Sequence, residues 1–396
     1  MIRTIHPFPA RMAPDLTLSS LKDIKEGSPI LDPMVGSGMV IRQAASLGYR
    51  CIGFDIDPLA VLISKVWNTP VDEIYARHVI NEILNEVRSI SDNKIFLPWV
   101  DEDKETSDFV NFWFGAKQIK VIRRIAFVLY KLERVGISVD VQNIVNIVKV
   151  ALSRIIITKE RQASLARDTS HSRPHKVAEH TDFEVLPAFI KSIDQVLSRI
   201  ADIPKKNEAT IEVGDARSLS TVADSSVDAV ITSPPYLNAI DYMRGHRMSL
   251  VWFGKRINEL RNIRVNNIGA ERAINKTDTK LHLIISSAMG DIDLLPNRDV
   301  AIVYRYAIDL YKMFSEVKRV IRPFGKSTFV MGNSCLKGVF IKNSDGLIKV
   351  ASILGMKLIN SYERELPLKN RYLPFTKTGA LSKRMKMETI LTFEKP

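Results

Sequence analysis

A glycine-hinged alternation of short apolar runs and helix-spaced segments constrains this chain more than any other feature. Residues 28–67 read SPILDPMVGSGMVIRQAASLGYRCIGFDIDPLAVLISKVW. Within them, 29–31 form a buried-strand run and Gly36 and Gly38 mark a tight turn. Residues 39–47 carry helical apolar spacing ended by Gly48, and 50–54 form a second run that stops at Asp55. Such a β-α-β-α order predicts a parallel sheet with crossover helices, whose ligands sit at the carboxyl ends of the strands. The rhythm resumes with strands at 210–213 and 227–232, then a helix over 299–321 stopped by Pro323 and Gly325. A strand at 327–331, a helix at 345–354 and strands at 357–363 and 388–393 complete the pattern, with no internal repeat.

Between the second and third strands, residues 68–207 change character. Amphipathic stretches at 71–89, 116–134, 141–156 and 184–200 predict helices. The polar segment 158–182, which holds His171, His175 and His180, lacks apolar periodicity and reads as a loop. The chain is thus expected to be one discontinuous α/β domain, 1–67 with 208–396, interrupted by a helical insertion at 68–207. A second irregular, basic stretch covers 255–298.

Charge narrows the partners. Lys and Arg number 57 against 44 Asp and Glu in 396 residues, a formal charge of +13, so an anionic partner is expected. At 45% hydrophobic and 26% charged residues the chain has the composition of a folded domain. Two cysteines, Cys51 and Cys335, are too few for a disulfide framework or a cysteine-rich metal site and suit a reducing compartment. The histidines of 158–182 lack cysteine partners, and no metal is expected. The start of the chain has no apolar signal region. The most apolar stretch, 141–158, is broken by Asn143, Asn146, Lys149 and Arg154, so no membrane span is predicted.

The chemistry is expected in two constellations. Glycines at the end of a first strand let backbone approach a ligand closely. Asp55, seventeen residues beyond Gly38, is placed to accept two ribose hydroxyls. Position 41 is Ile where a pyrophosphate loop carries its third glycine, and no Gly-x-x-x-x-Gly-Lys-Ser/Thr occurs. A cationic, phosphate-free adenosyl ligand, S-adenosylmethionine, is favoured over a dinucleotide. The second constellation is Thr232-Ser233-Pro234-Pro235-Tyr236 at a strand end. Two prolines hold the backbone extended, and their carbonyls stand as acceptors beside the Ser233 hydroxyl. Together these groups suit an exocyclic amine, and Tyr236 offers a flat face on which a base can stack.

DPMVGSG, FDID, GDAR and TSPPY resemble the cofactor and catalytic motifs of the amino-group DNA methyltransferases, with SPPY similar to the version in cytosine-N4 enzymes. Adenine-N6 enzymes typically have Asp or Asn where this chain has Ser233. The opening His6-Pro7-Phe8-Pro9-Ala10-Arg11 resembles the N-terminal cofactor motif of unpermuted members. The resemblance is close over 1–67 and 208–254 and looser in the C-terminal sheet. It implies a Rossmann-like seven-stranded methyltransferase sheet, S-adenosylmethionine as cofactor, and DNA in a prokaryotic cytoplasm as substrate. A cognate restriction endonuclease would be the protein partner. It places Asp32 and Pro33 near the methionine amino group and admits the cofactor at Gly36 and Gly38. Asp55 would bind the ribose and Asp215 the adenine amine, with Pro7 and Phe8 closing over the methionine. Ser233, Pro234, Pro235 and Tyr236 would bind and activate the target. Met34 departs from the aromatic residue usual after Asp-Pro, and most relatives lack an insertion at 68–207.

Neither cysteine follows a proline, so the thiolate addition of C5-cytosine methylation is not expected. Direct attack by the amine of a cytosine flipped from the duplex is the favoured reaction. The alternatives are an adenine-N6 or RNA base methyltransferase and a catalytically silent nucleic-acid-binding protein. Basic residues in 154–176 and 255–272 are expected to contact DNA, which makes the insertion and the 255–298 segment candidates for target recognition. Asp241, Tyr242, Gly245, His246 and Arg247 have two readings, shaping the base pocket or packing and ion pairing. Residues 370–374 are a further candidate for the site.

Overall fold

The computed structural model describes residues 3–8, 12–158, 161–167, 174–201, 209–237, 241–271, 280–365 and 387–396. Seven strands form the main sheet: β1 (Pro29–Asp32), β2 (Arg50–Asp55), β3 (Ala209–Val213), β4 (Val227–Thr232), β5 (Ile321–Gly332), β6 (Lys357–Glu365) and β7 (Met387–Glu394). Their spatial order is β3-β2-β1-β4-β5-β7-β6, parallel except for β7, which runs antiparallel to both neighbours. The first five follow the doubly wound order with its switch point between β1 and β4. The Rossmann-like sheet expected from the sequence is present. Strand β1 is buried throughout and β4 nearly so, which explains their continuous apolar runs.

Contacts divide the chain into two compact units. The sheet unit comprises Ala10–Ile56, Glu208–Ile240 and Val265–Pro396. Its core centres on helix Asn297–Val320, which lays Val303, Ala307, Leu310, Phe314 and Val317 into an apolar cluster. There Phe314 packs on Phe329 and Phe393 with ring centroids 5.0 and 5.2 Å apart.

The helical unit comprises Met1–Pro9, Asp57–Asn207 and Asp241–Arg264. Several of its helices start where short polar side chains cap them. Asp72 accepts from the Tyr75 amide, Asp103 from Thr106 and Ser138 from Val141. This unit takes in more than residues 68–207. Helix Pro58–Asn68 buries Leu59, Val61, Ile63, Val66 and Trp67 against helices Val139–Ile156, Val185–Ile200 and Tyr242–Leu250. A helix goes with whichever element covers its apolar face, and chain continuity with β2 does not decide that.

Two local expectations change. The 255–298 stretch contains helices Ile257–Asn266 and Leu281–Ser286 and a 3-10 turn at Ile292–Leu294. In the first of these only Ile257 and Leu260 are buried, too few to set a visible period among charged neighbours. Helix Asn297–Val320 passes directly into β5, and Pro323, expected as a stop, lies within the strand where pairing with β4 shifts register. The 158–182 loop contains one short pairing, Ala166–Arg167 with His175–Lys176.

Candidate functional site

In the sheet unit the expected cofactor residues gather at adjacent strand ends. Asp32 ends β1, Asp55 ends β2, and Asp215 lies two residues beyond β3. Gly36 and Gly38 adopt φ of 49° and 84°, and Gly38 begins helix Met39–Ser46. That left-handed turn is one L side chains rarely adopt. Asp55 Oδ2 accepts the Gly36 amide at 2.9 Å, so the carboxylate expected to bind ribose also braces the glycine turn. The helix that follows is capped by Asp57, whose side chain accepts from the Leu59 amide.

Asp32 is buried, and Oδ1 accepts the Thr232 hydroxyl at 2.8 Å and the Met34 amide at 3.1 Å. The first bond ties the glycine-loop motif to the first residue of TSPPY, a link no spacing foretold. Burial pushes the Asp32 carboxyl up to about 7, against the lowering effect of those bonds. Asp215 is tied to Arg217, whose Nη2 donates to its Oδ2 at 2.7 Å. Burial works to raise the Asp215 carboxyl, but the Arg217 bonds outweigh it and hold it below the usual range. Three carboxylates beside a glycine turn suit a cationic adenosyl ligand and would repel a diphosphate.

The catalytic-motif residues follow β4. Ser233 Oγ donates to the Val330 carbonyl of β5 at 3.1 Å. A hydroxyl has one proton, so this bond leaves Oγ to act only as an acceptor. Burial pushes the half-buried Tyr236 phenol up to about 12. The two proline carbonyls are not equivalent. Pro235 O accepts the Tyr306 hydroxyl at 3.1 Å, whereas among the described residues no donor reaches Pro234 O. The Pro234 carbonyl thus has both lone pairs available for the expected acceptor role, and Pro235 O keeps one beside its Tyr306 bond. Cys51 is buried in β2 with its thiol pushed up to about 12 by burial, far from a thiolate.

Pro7 and Phe8 belong to the helical unit. Phe8 is buried, its ring stacked on Tyr242 at 5.3 Å and tilted against His246 at 5.4 Å. His246 Nδ1 lies 2.5 Å from Asp57 Oδ2. Tyr242 and His246 thus take the packing role. Asp241 takes ion pairs with Arg244 and Arg264 at 3.0 and 2.5 Å.

The basic stretches are corrected in part. Arg154 does not face a solvent-borne polyanion: its guanidinium donates to Ile5 O, Ser192 Oγ and Gln195 Oε1 within the helical unit. Burial pushes it down to about 10. Arg261 pairs with Glu105, and Lys176 with Glu179. His171, Arg272 and residues 370–374 lie outside the described residues. Among the described residues, no helix is long and apolar enough to cross a membrane.

Fold and site together define a nucleotide-type sheet with a carboxylate-ringed turn beside an acceptor-rich Ser-Pro-Pro-Tyr corner. No family model matches the chain. It is 21% identical to Type II methyltransferase M.MvaI of Kocuria varians, over 98% of this chain and 89% of that protein. With Type II methyltransferase M.BsoBI of Geobacillus stearothermophilus the identity is 23%, over 94% and 81%. Among solved structures, a geranyl diphosphate methyltransferase in complex with SAM aligns over 97% of this chain and 84% of that one. Its TM-score is 0.36 at 8% identity, too distant to carry an argument.

Proposed function

We propose that the protein is a site-specific DNA methyltransferase that moves a methyl group from S-adenosylmethionine to the N4 amine of a cytosine flipped out of duplex DNA. Two relatives named as Type II methyltransferases, aligned over nearly the whole chain, support methylation of DNA. The observation that carries the amine chemistry is the Ser233 hydroxyl, made an obligate acceptor by its bond to Val330 O, next to a Pro234 carbonyl without a described donor.

An aromatic amine is a poor nucleophile because its lone pair is delocalised into the ring. Ser233 Oγ and Pro234 O take its two hydrogens and favour a pyramidal nitrogen whose lone pair is aimed at the methyl carbon. S-adenosylmethionine supplies an electrophilic methyl on a sulfonium. The nitrogen–carbon bond forms as the carbon–sulfur bond breaks, with no covalent link to the enzyme. The methylated nitrogen is cationic and loses a proton to water, so Ser233 orients rather than deprotonates. Asp32, Asp55 and Asp215 hold the cationic cofactor, and the glycine turn lets it approach. Tyr236 stacks on the extracted base, offsetting part of an extrusion cost of about a few kcal/mol.

Incubation with methyl-labelled cofactor and DNA or RNA, followed by nucleoside analysis, tests this reading. N4-methylcytosine in DNA is expected. N6-methyladenine alone would replace the cytosine assignment, label in RNA alone would replace the polymer, and transfer to neither by cofactor-binding protein would leave a silent binder.

A further inference from the structure

The acceptor corner leans on a network whose Arg305, Tyr306 and Asp309 lie outside the recognised motifs. Helix Asn297–Val320 presents Arg305, Tyr306 and Asp309 within one turn. Tyr306 is buried, and its hydroxyl donates to Pro235 O. Asp309, also buried, accepts Arg217 Nη1 at 2.7 Å and lies 3.7 Å from Arg305 Nε. From this shared carboxylate the two guanidiniums reach three successive carbonyls. Arg305 donates to Val265 O at 2.9 Å and Asn267 O at 3.4 Å, and Arg217 donates to Asn266 O at 2.6 Å. The chain so gripped runs on to Gly269, at φ 76°, whose missing Cβ would stand 2.8 Å from Tyr236 O and 3.7 Å from Pro235 O. Arg217 meanwhile holds Asp215.

Two partly buried arginines around one buried aspartate make a costly arrangement unless geometry demands it. Hydrophobic packing would have held this helix to the sheet without them. What the network fixes is the backing of the Ser-Pro-Pro-Tyr turn: one proline carbonyl is tied from the helix and the Tyr236 carbonyl is packed from behind by Gly269. The same guanidinium that grips this backing also sets Asp215.

We propose that Tyr306, Arg305, Asp309 and Arg217 are positioning residues for methyl transfer. They lock the catalytic turn in the conformation that presents Pro234 O to the amine, and they tie that turn to the carboxylate assigned to the cofactor adenine. The inference rests on the amine-methylation reading above.

Tyr306→Phe keeps the ring and removes only the hydroxyl. In single turnover with saturating DNA and S-adenosylmethionine, its transfer rate is expected to fall about tenfold, the worth of one lost orienting hydrogen bond. Cofactor affinity and thermal midpoint should stay at their wild-type values. Gly269→Ala, which forces the backing away from Tyr236 O, should lower the same rate at least as much. A wild-type rate in Tyr306→Phe would overturn the proposal. So would a rate loss matched by lost cofactor affinity or a lower midpoint, which a purely structural tyrosine would give. A wild-type enzyme that methylates no DNA amine would remove the reaction and this role together; an active wild type with an indifferent Tyr306→Phe removes the role alone.

Discussion

Asp32 in the sheet unit and Asp57 in the helical unit begin from the same dipeptide, Asp-Pro, and both end buried, at 2% and 5% exposure. Asp57 is absorbed by structure: one oxygen caps helix Pro58–Asn68 and the other meets His246. Asp32 is met by a hydroxyl and an amide on a single oxygen, and no cation balances it among its described partners. Burial therefore pushes it towards 7. Within the sheet unit the same contrast separates Asp32 from Asp215, which Arg217 pairs at 2.7 Å. Unbalanced burial is tolerated where a ligand is to supply the missing charge.

Variants in the two units should therefore fail differently. The largest effect is expected from Ser233→Ala, which removes an acceptor for the amine. Single-turnover transfer should drop by about 10² or more while cofactor binding and thermal midpoint persist. A rate near wild type would dissolve the contrast at its catalytic end.

Asp32 sharpens it through pH. Its carboxyl ionises near 7 in the folded protein and near 3.8 when unfolded, so the unfolded chain sheds the proton first as pH rises. The stability this gives is complete below 3.8 and is lost as pH approaches about 7, by an amount on the order of a few kcal/mol. Cofactor-free protein should accordingly melt lower at pH 7.5 than at pH 5 through this group, and Asp32→Asn should flatten that slope. Affinity for the cationic cofactor should rise over the upper part of the same window in the wild type only. Calorimetry and equilibrium dialysis across pH measure both.

Asp57→Ala is expected to act on folding. Losing a helix cap and the His246 partner should cost about 1–3 kcal/mol in denaturant unfolding. Transfer by the remaining folded protein should be affected far less than by Ser233→Ala. The smallest effect is predicted for Arg77→Ala. It deletes exposed pairs with Glu73 and Asp194 and should move unfolding by less than about 0.5 kcal/mol.

Most of the sheet was legible in the sequence because strands buried on both faces read as uninterrupted apolar runs and because glycines and prolines punctuate them. The strand-end carboxylates were legible for the same reason: a polar residue after such a run has few other places to be. The helices within 255–298 were not, since two buried positions among charges make no period. The fate of the basic residues was hidden as well. Arg154 reads as one more surface cation, and only the fold surrounds it with the Ile5 carbonyl, Ser192 and Gln195. Arg217 was visible beside Asp215 in GDAR, but nothing local indicates that it also bonds Asp309, ninety-two residues away.

By itself the sequence determined the sheet, its order of motifs and the residue types at the strand ends, because period, turn chemistry and strand-terminal polarity act over a few neighbouring positions. Tertiary structure alone decided which proline carbonyl is left without a described donor, that Ser233 is restricted to accepting, and which of two Asp-Pro carboxylates has a partner at each oxygen. Each depends on a partner brought from a distant strand or helix: Val330 at Ser233, Tyr306 at Pro235, His246 at Asp57. Hydrogen-bond direction and the protonation of a buried acid are set by what surrounds a group in space, and spacing along the chain does not encode that.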